Sequence, residues 1–501
     1  MHGLLFLDEN KYEDQGTIQM GAKNDKPSVE KGSVIQTEKA GGKLSRRDFT
    51  RTSVVAGAAA VGLPSMLAAE TGSTGKSAPS KGSAITGKKV APKSAEEWYE
   101  GLTIPAEYYL DEEHYRNDER YIAENFWLLA NHVSRIPEPG DFFVFKFGLG
   151  ESAIVVRNES NEIRAFHNVC RHRGSRLCRH DEDPRPNDDR LSVRQLGENG
   201  KTQVFRCPYH AWLYDLDGSL IDAYDMPDDF DMAANSLIDC HMKIVAGNIF
   251  LNFSRAEQPP EFGVLGYNSN VDDLDKTHSL SSLKIGANQT YQINANWKLV
   301  LENFLECYHC AASHSSLVTT HNWDYTLTAS QKKRRGDKIA ALLGEDSSGY
   351  RGTEAYGYNP FDGELNPQYL TGSLDGTQLA PLLPNIKEWT HDTGIRTTDW
   401  DTGYWQFYDD HVLVVRFTPR GPALTDAEIW WLVHPDAEEG KDYDPEKLMA
   451  LWDITIMEDA WIVENNHLGI KSTGYTPGQY SLDETDCADF VTFYINEVAK
   501  V

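Results

Sequence analysis

Two short stretches of this chain pair a cysteine with a histidine at metal-ligand spacing. They are Cys170-x-His172, within Cys170-Arg171-His172-Arg173-Gly174, and Cys207-x-x-His210, within Cys207-Pro208-Tyr209-His210. Thiolate is the natural ligand of ferric iron and sulfide, and neutral imidazole can hold a second iron. Two cysteines on one iron and two histidines on the other make a two-iron, two-sulfur cluster. A structural zinc site of two cysteines and two histidines is the other arrangement these residues allow. Zinc fingers usually take their cysteines and histidines in separate pairs. Here each loop supplies one of each, which favours the cluster.

A second constellation lies downstream. The stretch Asn296-Trp297-Lys298-Leu299-Val300-Leu301-Glu302-Asn303-Phe304-Leu305-Glu306-Cys307-Tyr308-His309 is helix-competent, and His314 follows five residues after His309. Five residues of ideal helix turn a side chain about 140° away. Both histidines can therefore share a metal only if the helix bends or ends near Ala311-Ala312-Ser313. Two histidines and one carboxylate leave open positions on a ferrous iron, the requirement for binding oxygen. Taken alone, a histidine on a helix is more often an ordinary half-buried residue, and Cys307-x-x-Cys310 admits redox or zinc chemistry.

CRHRG followed by CPYHAWLYDLDGSL resembles the Rieske domain of ring-hydroxylating and amine-demethylating oxygenases, and NWKLVLENFLECYHC fits the catalytic part of the same family. The resemblance implies that Cys170, His172, Cys207 and His210 hold a [2Fe-2S] cluster. It implies that His309, His314 and Asp459, in the helical segment Met457 to Glu464 and next to Glu458, hold a mononuclear Fe(II). Cys307 and Cys310 then become helix-packing residues, and Cys178 and Cys240 structural ones. Residues 173–206 make the gap between the two loops longer than the family's usual spacing. Its polar part, 179–201, reads as a surface insertion, which costs little in loop-closure entropy.

The family resemblance further implies an electron-donating reductase or ferredoxin, dioxygen, a small organic substrate and a homotrimeric ring in which the two centres that cooperate belong to neighbouring subunits. Glu306, one helical turn before His309 on the same face, would bridge them. Many aromatic-ring dioxygenases carry Asp at that place. Glu within ECYHC resembles the branch acting on quaternary amines such as carnitine or glycine betaine. The expected substrate is a quaternary or tertiary amine, with Trp400, Tyr404 and Trp405 as candidate cation contacts. The alternatives are an aromatic-ring hydroxylating dioxygenase and an electron-transfer Rieske protein without oxygenase activity.

The elements that must position these residues are legible in outline. The 501 residues suffice for two to four domains. The net charge of -28 argues against nucleic acid or an anionic membrane as the main partner. Seven cysteines, an odd number, are too few for a disulfide scaffold. Ser45-Arg46-Arg47-Asp48-Phe49 before the weakly apolar stretch Thr52 to Ala69 resembles a twin-arginine export signal, so residues 1–69 are expected to direct export to the periplasm; the alternative is a cytoplasmic protein with an accidental Arg-Arg pair. Residues 70–96, rich in Gly, Ser, Lys and Pro, read as a disordered linker.

Folded sequence begins near residue 97. Asp111 to His132 has helical periodicity, with Tyr121, Phe126, Leu128 and Leu129 as buried positions. Short β-prone runs from Phe142 to Leu251 make an antiparallel β domain, so 97–257 is expected as the Rieske domain with its N-terminal helices. Residues 258–501 alternate strands, such as Val412 to Phe417 and Glu428 to Val433, with helices around 297–310 and 446–467. This is an α+β catalytic domain, helix-grip-like by resemblance.

Overall fold

The computed structural model describes residues 98–148, 150–181, 193–263, 271–322, 363–397, 402–481 and 484–500. The expected export signal and linker, residues 182–192 of the insertion, and Trp400 lie outside the described residues.

Asp111 opens the helix Glu112–Asn125 by accepting hydrogen bonds from the backbone N–H of Glu113 (2.7 Å) and His114 (3.2 Å). Tyr115, Asp118, Glu119, Ile122 and Ala123 form its buried stripe. The expected helix over 111–132 is two elements. The chain turns extended at Phe126 and continues as the strand Leu128–His132, all of it buried. The reason is that both faces of this strand are covered. Leu128 and Ala130 join one core cluster, and Trp127 and Leu129 join another. A doubly buried strand loses the polar alternation that would have marked it.

The β domain contains the antiparallel sheet Ile163–His167, Ser152–Arg157, Asp141–Lys146, Asn199–Lys201 and the small sheet Phe205–Arg206, Leu213–Tyr214, Leu220–Asp222. The end of the supposed insertion is therefore structural, because Asn199–Lys201 pairs with Asp141 to Phe143. Period-two alternation gives the strand Asp141–Lys146 two apolar faces. Phe142 and Val144 pack with Cys170, Cys207, Trp212 and Tyr214, while Phe143 and Phe145 face the main core. A third sheet, Leu128–His132, Asn248–Asn252, His241–Val245, lies between the two halves of the sequence.

The second half is built on a seven-stranded antiparallel sheet. Its order is Lys284–Ile293, Leu424–Val433, Val412–Gly421, Gly403–Phe407, Asp392–Thr397, Gly363–Leu365, His321–Asn322. Leu413, Val415, Phe417, Ile429 and Trp431 share a core cluster with the helices Trp297–Phe304 and Pro445–Ile470. The opposite face, with Trp405, Val414 and Trp430, packs on Trp127, Leu129 and Phe250. Buried Arg416 pairs across the strands with Glu428 and donates to the carbonyls of Leu129 (3.2 Å) and Ala130, which ties the sheet to the Leu128–His132 strand.

The long helix begins at Asp444, whose side chain accepts from Glu446 N, with Pro445 in the first turn. Leu448, Leu451, Trp452, Thr455, Ile456, Asp459, Val463, His467 and Ile470 follow at steps of three and four and form its inner stripe. Asp459 is thus carried inward. The chain forms an antiparallel β domain followed by an α+β domain, as expected.

Candidate active site

The two Cys/His loops adopt the same backbone path. Cys170 N–H donates to Ser175 O and Gly174 N–H to Cys170 O. Likewise Cys207 N–H donates to Trp212 O and Ala211 N–H to Cys207 O. Each turn closes through a left-handed residue, Gly174 at φ 76° and Ala211 at φ 61°. This shared turn brings His172 and His210 together despite their different offsets from the cysteines, with ring centroids 4.5 Å apart. His172 stacks on Trp212 (4.7 Å, 8°) and Tyr209 on His210 (3.9 Å). Tyr214 Oη lies 3.3 Å from Cys170 Sγ.

Both cysteines are buried, whereas His172 is exposed and His210 half-buried, so the histidine edge faces outward. A hydrogen bond shared with Cys170 pulls the Cys207 thiol down to about 5 and, with burial, pushes Cys170 up. Buried His210 Nδ1 has no hydrogen-bond partner. A pair of sulfurs sharing a proton and an orphaned imidazole nitrogen are what a metal cluster with thiolate and imidazole ligands would satisfy.

The second site depends on a break in the chain. The expected helix over 297–310 ends at Phe304. Leu305 to His309 form a turn, and the short helices Cys310–Ser313 and Ser315–Thr320 meet at His314. The bend expected near Ala311 to Ser313 is therefore joined by an earlier one that carries Glu306 and His309. Within it Cys307 and Cys310 form a disulfide, in place of the expected helix packing. Cys178 and Cys240 are free and buried, as structural residues would be.

Three donor atoms converge here. His309 Nε2 and His314 Nε2 are 3.1 Å apart, and Asp459 Oδ1 lies 3.2 Å from the first and 2.9 Å from the second. Ligand bonds of about 2.1 Å at right angles place donors about 3.0 Å apart. The triangle is one face of an octahedron, and the residues fit a mononuclear metal. Each histidine has its other nitrogen fixed by a carboxylate. His309 Nδ1 donates to Glu306 Oε1 (2.6 Å) and His314 Nδ1 to Glu458 Oε2 (2.9 Å), which leaves both Nε2 lone pairs for the metal. Burial lowers the His309 pKa, but the bonds and charges of Asp459 and Glu306 outweigh it and raise it to about 9.

Sequence reasoning did not foresee Glu458 as the orienting partner of His314. It also missed Asn303, whose Nδ2 is 3.4 Å from His309 Nε2 and whose buried Oδ1 has no partner. Of the aromatic candidates, Tyr404 belongs here: its hydroxyl is buried without a partner, and burial followed by the charge of Asp459 raises its pKa. Phe304 and Phe417 surround it at 5.8 and 6.2 Å. Trp405 is excluded by strand alternation. It faces the other side and donates from Nε1 to Asn248 Oδ1.

Comparison with known proteins agrees with this geometry. Residues 126–233 match the model of the Rieske [2Fe-2S] domain, and 280–500 that of the ring hydroxylating alpha subunit catalytic domain. The glycine betaine monooxygenase oxygenase subunit of Chromohalobacter salexigens is 33% identical over 416 residues, which is 78% of this chain and 85% of that protein. The carnitine monooxygenase oxygenase subunit of Escherichia coli is 31% identical over 217 residues, 43% of this chain and 53% of that protein. A crystal structure of the quaternary ammonium Rieske monooxygenase CntA with L-carnitine shares the fold at TM-score 0.55 and 20% identity, covering 82% of this chain and 99% of that one.

The chain belongs to the Rieske non-haem iron oxygenases, as a catalytic alpha subunit. It is accordingly an oxidoreductase with a [2Fe-2S] cluster and a mononuclear iron, and it uses dioxygen, electrons from a partner and a small substrate.

Proposed function

We propose that this oxygenase oxidises a small quaternary or tertiary amine at an N-methyl group or a carbon next to nitrogen. The observation that carries the proposal is the group of Tyr404, Phe304 and Phe417 around an unpartnered hydroxyl beside Asp459. Aromatic faces attract a desolvated ammonium by about 2 kcal/mol or more each, and the acidic chain adds the same sign. The oxygenase subunits similar to this chain are named for glycine betaine and carnitine, which agrees with that chemistry.

When bound, the cluster supplies single electrons and the mononuclear iron supplies oxygen activation. The side chains do the rest. Glu306 and Glu458 keep a proton on Nδ1 of His309 and His314, and Tyr404, packed by Phe304 and Phe417, presents its ring to the substrate. Insertion of one oxygen atom into an N-methyl C–H bond, with two electrons and two protons, gives water and a hydroxymethyl ammonium, which releases formaldehyde. Substrate-dependent oxygen uptake tests this against a panel of methylated amines and aromatic acids. Uptake with the acids alone would favour a ring dioxygenase.

The working assembly is a homotrimer in which the histidine edge of one copy's cluster meets the iron site of the next, with a reductase or ferredoxin as donor. In support, exposed Tyr308, Met457 and Trp461 flank Glu306 and Glu458 in sequence, and exposed Tyr209 stacks beside His210. Sedimentation of the purified chain tests the state. Residues 1–69 direct export of the folded protein, which then needs a donor other than cytoplasmic nicotinamide. Replacing Arg46 and Arg47 with Lys should hold it in the cytoplasm, and finding the unchanged protein there too would sink the export.

A further inference from the structure

Five cysteines among the described residues are free and buried, and the remaining two, Cys307 and Cys310, are joined. This pair brackets His309. Its Cα atoms are 4.9 Å apart, and Cys310 N–H donates to Cys307 O (3.1 Å), so the turn that carries the histidine is also the turn the disulfide closes. Cys310 Sγ lies 3.9 Å from His309 Nε2. With His314 added, the three ligand atoms all fall within 4.8 Å of one another. Asp459 Oδ1 touches the same two histidines. Two nitrogens and one sulfur thus lie within reach of one ion, and a carboxylate oxygen touches both nitrogens.

The two redox states of that sulfur differ in chemistry. A disulfide sulfur carries no charge and is a poor ligand, which leaves the two histidines and Asp459 with open positions. A thiolate is a strong ligand for borderline metals, and a fourth protein donor makes the closed tetrahedral arrangement typical of structural zinc. Zinc(II) also outcompetes iron(II) at most nitrogen and sulfur sites. Both sulfurs are buried, but in the unassembled chain the turn that holds them lies at the surface. Tyr308 between the cysteines is 62% exposed, Ala311 and Ala312 after them are exposed, and Cys307 is the more open of the two sulfurs, at 9% against 5%.

We propose that Cys307–Cys310 is a reversible thiol–disulfide lock that decides whether the His309–His314–Asp459 site stays open or closes on its metal with an added sulfur donor. Closed, it leaves the three donors with open positions on the metal. A dithiol opens it by exchange: two electrons and two protons pass to the protein, the reductant becomes a cyclic disulfide, and Cys307 and Cys310 become thiols. Cys310 then gives up its proton as it binds the metal, and the site closes around zinc. The inference rests on the three-ligand assignment above.

The test uses the full chain with its cluster, with or without prior dithiothreitol, then loaded with zinc chloride. Zinc-edge X-ray absorption, which ignores the cluster's iron, reads the ligands, and alkylation with peptide mass analysis reads the thiols. The untreated protein should show the Cys307–Cys310 link and zinc bound by nitrogen and oxygen alone. The reduced protein should gain a sulfur neighbour at about 2.3 Å. Cys310→Ser should lose that sulfur, and Cys307→Ser should show it without reduction. Free thiols at both positions in the untreated protein, or zinc without sulfur in both the reduced protein and Cys307→Ser, overturns the lock. If untreated protein nonetheless holds a mononuclear iron that His314→Ala loses, the ligand assignment stands while the lock falls.

Discussion

Glu458 and Asp459 are neighbours on one helix, yet they hold His314 by different nitrogens. Asp459 Oδ1 meets Nε2 at 2.9 Å and Glu458 Oε2 meets Nδ1 at 2.9 Å. One carboxylate shares the metal position with the histidine, and the other fixes its tautomer from behind. Asp459→Ala should lose the mononuclear iron outright. Glu458→Gln should keep it with affinity weakened by about 10–100-fold, measured by iron titration of the stripped protein. Equal loss in both variants would mean that Glu458 is itself a ligand.

The Rieske loops and the three-donor site are expected to hold separate metals. Purified protein should contain about three irons and two acid-labile sulfides per chain. His172→Ala should abolish the electron-spin-resonance signal of the cluster and leave the mononuclear iron in place. Zinc at Cys170 and Cys207 without sulfide is the result that contradicts this.

Glu306 already makes its bond to His309 within one chain. A bridging role to the cluster of a neighbouring subunit, which the family resemblance implies, predicts that Glu306→Gln keeps both irons, the assembly and substrate binding, yet passes electrons from reduced cluster to iron far more slowly. Single-turnover oxidation of the cluster, with substrate and oxygen present, is the assay. A parental rate in the variant rules the bridge out.

Tyr404 separates ring from hydroxyl. Tyr404→Phe keeps the aromatic face and should bind a methylated amine nearly as the parent does. Tyr404→Ala should weaken binding by about 30-fold, the equivalent of one ring contact of about 2 kcal/mol. Calorimetric titration decides, and equal affinity in the Ala variant removes the ring from the site.

Glu302 predicts a pH effect on stability. Its carboxylate accepts from the hydroxyls of Tyr109 (2.7 Å) and Tyr480 (2.6 Å). Burial, opposed by those bonds and by the charge of Lys298, raises its pKa from 4.5 to about 7. The folded protein keeps a proton that the unfolded chain releases, so this contribution is complete below 4.5 and lost as pH rises to about 7. Asp486, raised to about 7 by burial, has the same sign. Buried His132, His321 and His467, held down to about 4, act oppositely: the stability they lend is present above 6.5 and lost as pH falls towards 4. The difference between Glu302→Gln and parent isolates one group. It should move in favour of the variant between pH 4.5 and 7, by up to about 3 kcal/mol, in urea unfolding. A pH-independent difference contradicts the burial argument.

What could be seen in the sequence was what local spacing records. Runs of β-branched and aromatic residues marked Val412 to Phe417 and Glu428 to Val433, the segment that carries Asp459 read as a helix, and the Cys/His loops announced themselves. The break after Phe304 left no trace, because LENFLECYHC contains no Gly or Pro to signal it. Leu128 to His132 passed for helix because both its faces are covered. Choosing Tyr404 over Trp405 needed the strand's orientation. Glu302 could not be assigned, since Tyr109 and Tyr480 reach it from positions 193 and 178 residues away in sequence.

The strand Asp141–Lys146, with Phe142 and Val144 on the cluster side and Phe143 and Phe145 on the catalytic side, bears on modularity. The two family matches suggest detachable parts, each portable by genetic fusion. Excising residues 126–233 would bare Phe143, Phe145, Val155 and Ala165 as one wall of a core whose other wall is gone. Such a fragment would come out of the cell as inclusion bodies. Electron donor and oxygen chemist share this wall, so the Rieske half cannot be exchanged for another family member's without redesigning the side chains that line it.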